Sequence, residues 1–526
     1  MQFIDIRYHV MKHGSIGLLG LGFAVLVGCL QGETTSTTGT VAPGGSAALQ
    51  GPMAFVKNSG IGSENSLSVV GVDSQGNLRL VSTMGAAGEF GNGALGDMQV
   101  SNGEWVFVNL TAGNRVATID PLSGATPIHE DNLSTRTRPV HIYRDPTDGE
   151  VIWSMNDGDA TNGNDILCPA GGTSVTVLHN SHIGAGGNPP SVVGTTCTLA
   201  SGHAVTAFSR PTAADQVIPR YAVVTNEKGG QMAFLDNNQT SGTYRQLVAR
   251  LDLCTDAGQA GLNPIGASCD DESGTVLSAA FTANGSKPHG IRWSQSAGKI
   301  YSYQEGYQEI IEVDPKRIVP GPGHNQTAIT RRLSLAGTPY TSYGITPNGR
   351  FLFLRGRDIT TNSDHIIGKL ALVDLDAVDP NDATRLVLTP LPDLLDIVPS
   401  TFRFTPDGQR MYLLASDAAT GTGNQLVNQK KNRLFVFNPS TFPGAPQPLA
   451  EITLPQAATH NFDVLVQGSG QASAVLVSNG GAGSFGSVSL INANHQITDS
   501  QLVGVNPGTV MFYYPGMAAT GNQATS

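Results

Sequence analysis

Apolar residues alternate with polar ones in short runs along most of the chain, and turn residues separate the runs. That period of two is the mark of β-strands with alternating faces. The clearest unit starts at Thr401: "TFRFTPDGQRMYLLAS", then "NRLFVFNP", then "PLAEITLP". It reads as an inner strand, a Pro-Asp-Gly turn, an apolar central strand, a third strand ending in Asn-Pro and a polar outer strand. The preceding unit repeats the order with "SYGITPNGRFLFLRGR", "GKLALVDL" and "TRLVLTPLP". The unit before that gives "HGIRWSQSAGKIYSYQEG", "QEIIEVDP" and "AITRRLSL". Further units begin near Leu95, Arg138, His203 and His460.

Seven units are complete, and strands are left over at both ends of the chain. "GTVMFYYP" from Gly508 supplies one, while "PMAFVKN", "SLSVVGVD" and "NLRLVSTMG" supply three near the N-terminus. One and three make an eighth four-stranded unit. Pairing a C-terminal strand with N-terminal ones closes a ring and removes open sheet edges. The expectation is therefore an all-β fold, a β-propeller of four-stranded blades. Eight blades are favoured, and seven result if one unit is degenerate. A pair of stacked sandwiches is the alternative, but it leaves the repeated order of turns unexplained.

The runs "ITPNGRFLFLRGR", "FTPDGQRMYLLASD" and "NRLFVFNP" resemble the YVTN-type propeller repeats of bacterial surface and periplasmic proteins. More loosely, they are similar to the propellers of the amine dehydrogenase heavy chain and nitrous oxide reductase. The resemblance covers residues 52 to about 515 and speaks to fold, since this architecture hosts binding modules and enzymes alike.

A histidine recurs near the start of the innermost strand in four units: His141, His203, His289 and His460. Tyr343 and Phe402 stand near the matching place in two others. Imidazoles converging from separate blades suit copper or zinc. The competing expectation is that they hydrogen-bond to backbone or water inside a polar tunnel. Nitrous oxide reductase holds copper in a ring of propeller histidines, but it uses more of them and a cupredoxin-like partner domain that has no counterpart here. Arg138, Lys287, Arg292 and Arg403 lie close to inner strands and could grip a carboxylate or phosphate. Residues 157–165 gather Asp157, Asp159, Asn162, Asn164 and Asp165, making calcium a weaker candidate; Gly163 falls one place late for an EF-hand loop. Asp374 and Asp376 fit turn caps, and Trp153 and Trp293 fit packing. No Gly-x-Ser-x-Gly in a strand-to-helix setting, phosphate loop or His-Glu-x-x-His occurs.

Composition sharpens this picture. Gly is abundant, at 64 of 526 residues, and only 13% of residues are charged, which suits short strands and tight turns. The net charge is −11, with 30 Lys and Arg in all, so nucleic-acid binding has no electrostatic footing. An apolar stretch follows Lys12 and ends at Cys29, with the proportions of an export signal. Its Leu26-Val27-Gly28-Cys29 resembles the lipobox of bacterial lipoproteins, which implies acylation of Cys29 after removal of residues 1–28. Leu30 in place of Asp after the cysteine implies, by that resemblance, the outer membrane. Residues 29–51 form a Gly/Ser/Thr tether and residues 52–526 the propeller. A simple secreted protein is the alternative. In an oxidising compartment the remaining cysteines should pair, locally as Cys168 with Cys197 and Cys254 with Cys269, although three connectivities exist.

These readings describe a lipid-anchored envelope propeller that binds a protein or small ligand and contacts the membrane through its anchor. The alternative is a metal-binding redox or enzymatic propeller built on the histidine cluster. Replacing the anchor cysteine, Cys29→Ser, should move the protein from the membrane pellet to the soluble fraction and abolish palmitate labelling. Unchanged membrane retention and labelling would contradict the anchor.

Overall fold

Among the described residues of a computed structural model, the strands form seven four-stranded antiparallel sheets and one five-stranded one. The structure describes residues 52–513 except 60–64, 86–89, 91–94, 102–103, 122–127, 162, 169–170, 181–189, 255–282, 416–420, 445–446, 467–469 and 481–484. The export signal, Cys29 and the tether lie outside the described residues. Ala48–Ser526 forms one compact unit.

The ring closes as the leftover strands require. In the first blade Pro507–Tyr513 is innermost and pairs antiparallel with Met53–Ser59, which is followed outward by Asn65–Val72 and Leu78–Met84. The other blades start with the inner strands Leu95–Ser101, Pro139–Arg144, Thr206–Ser209, Pro288–Ser294, Tyr340–Ile345, Pro399–Phe404 and Ala458–Val466. The architecture is thus an eight-bladed propeller, neither seven-bladed nor a sandwich. The sixth blade departs from expectation at its rim. Its outer strand shrinks to Leu388–Pro390, with a second short segment, Leu394–Leu395, pairing to the same neighbour.

The core lies between blades. Phe351 and Phe353 pack toward the seventh blade, with Phe402, Met411 and Leu413. Leu352 and Leu354, the alternate residues of the same strand, pack toward the fifth, with Tyr301 and Tyr343. Both faces of a central strand are therefore buried, which explains why "FLFL" and "MYLLA" are apolar throughout. Burial of each large side chain in such a seam is worth about 1.5–3 kcal/mol.

Several buried amide groups in the sheets donate to hydroxyls on neighbouring strands. Asn156 donates to Ser174 and Thr176, Asn58 to Ser66 and Ser68, and Asn479 to Ser489. In the fifth blade Glu312 accepts from Tyr301 Oη at 2.7 Å, from Thr330 Oγ1 at 2.7 Å and from the Arg331 guanidinium. Burial pushes the Glu312 carboxyl up, but these donors outweigh it and its pKa lies below the ordinary value. Glu309, held by Arg332 at 2.6 Å, shows the opposite balance: burial wins and its pKa is raised.

A depressed folded-state pKa gives stability that is present above the unfolded value, about 4.3, and fades as pH falls through the folded value. Glu312→Gln should therefore cost about 3 kcal/mol at pH 7, because Arg331 loses its charge partner. The difference from wild type should shrink below about pH 4. Denaturant unfolding at both pH values checks this, and a difference independent of pH would contradict it.

Candidate site at the propeller axis

The start of the innermost strand is irregular in seven blades. Register with the second strand shifts at Leu95/Met98, Pro139/His141, Pro288/Ile291, Tyr340/Ser342, Pro399/Phe402 and Ala458/Phe462, and in the first blade at Val56/Asn58 opposite Pro507. Such bulges re-aim side chains. The fourth blade lacks the shift, but its inner strand begins only at Thr206, so His203 sits on non-strand backbone. Irregular backbone thus carries the histidines at one end of the tunnel.

Two of the predicted histidines meet. The His141 and His203 rings are 4.6 Å apart between centroids, and their Nε2 atoms are 2.8 Å apart. Each ring is fixed from behind by a carboxylate. His141 Nδ1 lies 2.6 Å from Asp97 Oδ2, and His203 Nδ1 lies 2.7 Å from Asp157 Oδ2. The other oxygen of Asp157 accepts from Ala204 N at 3.1 Å, which also fixes the backbone beside His203. His289 lies beside His203, with centroids 5.3 Å apart. Among the described residues it does not join His141 and His203 in a set of three donors mutually within 4.8 Å. His460 lies on its strand, but its side chain is outside the described residues.

Neighbouring blades hold this arrangement in place. Asn109 Nδ2 donates to His141 O at 3.0 Å, and its Oδ1 accepts from Ser154 Oγ at 3.0 Å. Gly96 permits the close approach of the second and third blades: a Cβ there would stand 2.7 Å from Val140 O and 2.8 Å from Asn109 Cβ. Lys57 reaches across from the first blade and donates to Leu95 O at 3.2 Å and Gly96 O at 3.3 Å.

The electrostatics follow from burial opposed by charge. Burial pushes the His141 imidazole down, but Asp97 more than offsets it, so His141 holds its proton above the ordinary range. Burial raises Asp97, yet His141 and Lys57 bring it below the usual carboxylate value. His289 is lowered, first by burial and then by His203. Lys57 is lowered by burial, with Asp97 opposing. With both aspartates ionised, each Nδ1–H donates to its carboxylate, and the Nε2 to Nε2 bond needs one further proton. The pair then carries one proton more than two neutral rings. It can hold and pass that proton, or exchange it for a cation.

The 2.8 Å spacing is that of a hydrogen bond, at the short limit of what one shared ion allows. Two imidazole nitrogens at about 2.0–2.1 Å from one ion stand roughly 2.8 Å apart at a right angle and roughly 3.4 Å apart at a tetrahedral one. A carboxylate on the far nitrogen of each ring is the usual support of metal-bound histidine. Zinc and copper both suit such a nitrogen pair.

A second cluster lies in an outer region. Donor atoms of Asp252, Cys254 and His324 lie within 4.8 Å of one another and could take a divalent ion such as zinc or copper. Cys254 is, however, disulfide-bonded, so its sulfur is no thiolate in this state. Asp252 and His324 pair at 3.2 Å. The expected partner Cys269 is outside the described residues, while Cys168 and Cys197 form the expected disulfide.

The remaining candidates separate clearly. Arg138 and Lys287 are exposed on the rim, at left-handed backbone positions, and do not line the tunnel cavity. Arg292 and Arg403 do line it. In residues 157–165, Asp159 caps Thr161 N, Asn164 accepts from Gly172 N, and Asp165 accepts from Thr137, Leu167 and Ser174. Their side chains are turned to separate turn contacts instead of one point, and Asn162 is outside the described residues. Asp374 and Asp376 hold Arg350 at 2.7 and 3.5 Å. Trp153 is fully buried against Phe208, whereas Trp293 also borders the tunnel cavity.

No family model matches the chain, and no curated protein matches it. Among solved structures it is similar to a periplasmic gluconolactonase of Pseudomonas aeruginosa, at 14% identity and TM-score 0.44, covering 80% of this chain and 99% of that one. It is also similar to a putative 6-phosphogluconolactonase of Bacteroides fragilis, at 11% identity and TM-score 0.44, covering 89% and 99%. The dihydro-haem d1 dehydrogenase NirN matches at 12% identity and TM-score 0.45, covering 91% and 78%.

Proposed function

We propose that this protein is a metal-binding propeller of the cell envelope, carried on a lipid anchor at Cys29. In this reading the imidazole Nε2 atoms of His141 and His203 take one zinc or copper ion at the tunnel axis. One observation carries the reading: both Nδ1 atoms are committed to carboxylates, and both Nε2 atoms face one another at 2.8 Å. An ion would replace the shared proton, and at a tetrahedral site the rings would part by about half an ångström. Two protein nitrogens leave coordination positions open toward the tunnel, as in reactive sites; structural zinc normally has four protein ligands. His289 offers a third imidazole beside the pair. A bound ion would supply Lewis acidity, or electron transfer in the case of copper. Asp97 and Asp157 would orient the rings, and Asn109 and Lys57 would hold the backbone that carries them. This is the metal-binding alternative of the sequence reading. It retains the ligand-binding role, because the open positions face whatever enters the tunnel.

Metal analysis of purified protein, loaded with zinc or copper and dialysed, tests the proposal. Wild type and His324→Ala should each retain one ion per chain, and the double variant His141→Ala/His203→Ala should retain none. Asp157→Asn should weaken binding by about 10–100-fold. No retained metal in wild type would overturn the assignment. Loss in His324→Ala with retention in the double variant would move the site to Asp252 and His324.

A further inference from the structure

Beyond the histidines the tunnel widens into a cavity of about 560 Å³. Seven of the eight blades contribute to its wall, from Gln99 in the second to Val464 in the eighth. Inner strands run the same way along the axis. His141 and Arg144 are three residues apart on one of them, as are His289 and Arg292 on another. At about 3.3 Å per residue, the arginine level lies roughly 10 Å further along the tunnel than the histidine level. The exposed turn residues Pro146, Pro347 and Pro406 mark the cavity's solvent mouth.

The charge of this wall is unusual for a chain with net charge −11. Among the described residues it contains four guanidiniums, those of Arg144, Arg210, Arg292 and Arg403, and no Asp or Glu. The nearby carboxylates, Asp145 and Asp463, are not in the wall. Asp463 stands 3.9 Å from Arg403, and Asp145 acts on Arg210. Arg210 Nε donates to Gln295 Oε1 at 2.7 Å, and Arg403 Nε donates to Phe462 O at 2.7 Å. Arg292 is the outlier. It is 6% exposed, its Nη1 donates to the carbonyl of its own neighbour Ile291 at 2.8 Å, and its buried Nε has no partner. A buried guanidinium without a counter-charge is costly unless something outside the chain supplies one. The apolar rings of Trp293 and Phe402 border the same space.

We infer that this cavity is a binding site for an organic anion with carboxylate groups on an apolar, ring-sized body. The carboxylates would meet the planar forks of Arg292 and its three neighbours, and the body would lie against Trp293 and Phe402. The volume suits a small organic ligand. The inference stands on the arginine wall and is independent of whether the histidine pair holds a metal.

Calorimetric titration of the full chain with benzene-1,3,5-tricarboxylate, after metal removal and exchange into metal-free, chelator-free buffer, tests it. Saturable one-to-one binding is expected, accompanied by a change in Trp293 fluorescence. The neutral benzene-1,3,5-tricarboxamide and inorganic phosphate should bind far more weakly at matched ionic strength. Arg292→Gln should weaken tricarboxylate binding about tenfold or more. Arg144→Gln, at a less buried wall position, should also weaken it and provides the test should Arg292→Gln fail to fold. Absence of saturable binding to wild type would overturn the inference. So would equal binding of the triamide or of phosphate, or unchanged affinity in folded arginine variants. Because the protein is stripped of metal beforehand, failure here leaves the histidine assignment standing, and the reverse also holds.

Discussion

Eight innermost strands converge on one axis, so ionisable side chains placed there have little water and must satisfy one another. At the histidine level they do so in a short chain, Asp97 to His141 to His203 to Asp157. Each link crosses between separate segments of the fold. Asp97 sits on the inner strand of the blade before His141, and Asp157 follows the second strand of the blade before His203. All four residues come from the second, third and fourth blades, so the packing of these three neighbours assembles the chain. The pairing of Pro507–Tyr513 with Met53–Ser59 closes the first blade, whose Lys57 holds the Leu95 and Gly96 carbonyls beside Asp97.

The same constraint gives the tunnel two levels with different chemistry. Where strands begin, bulged backbone turns acids and imidazoles toward the axis, and their charges are balanced locally. Further along, the wall presents guanidiniums and aromatic rings, with no acid in it among the described residues. A balanced cluster suits a proton or metal ion. An unbalanced cationic wall suits an anion brought from outside. The two readings together describe a tunnel in which an anionic ligand can approach a coordinated ion from the arginine side.

Much of the fold is legible in the sequence because the repeat is regular. "FLFLRGR" and "MYLLAS" mark strands buried on both faces, the Pro-Asp-Gly and Pro-Asn-Gly turns fix their order, and the surplus strands at the ends announce closure. The histidines are legible for the same reason, since repeats place equivalent residues at one level. Their carboxylates are not. Asp97 has no local mark beyond the adjoining Gly96, and Asp157 sits in a polar turn that reads equally well as a solvated or calcium-like loop. Both act across blade boundaries, where sequence spacing carries no information about distance. The arginines were half legible. Arg292 and Arg403 belong to the cavity as their strand positions suggest, but Arg138 and Lys287, beside strand starts, turn to the rim. Arg144 and Arg210 were missed because they stand at strand ends, beyond the segment where the histidines drew attention.

The most direct test of the histidine pair as a metal centre is anomalous diffraction from crystals of zinc-loaded protein, with data on both sides of the zinc edge. The account requires one axial peak about 2.0–2.1 Å from Nε2 of both His141 and His203. A peak beside Asp252 and His324 alone, or an axis without a peak and with the two rings still joined by a hydrogen bond, would contradict it.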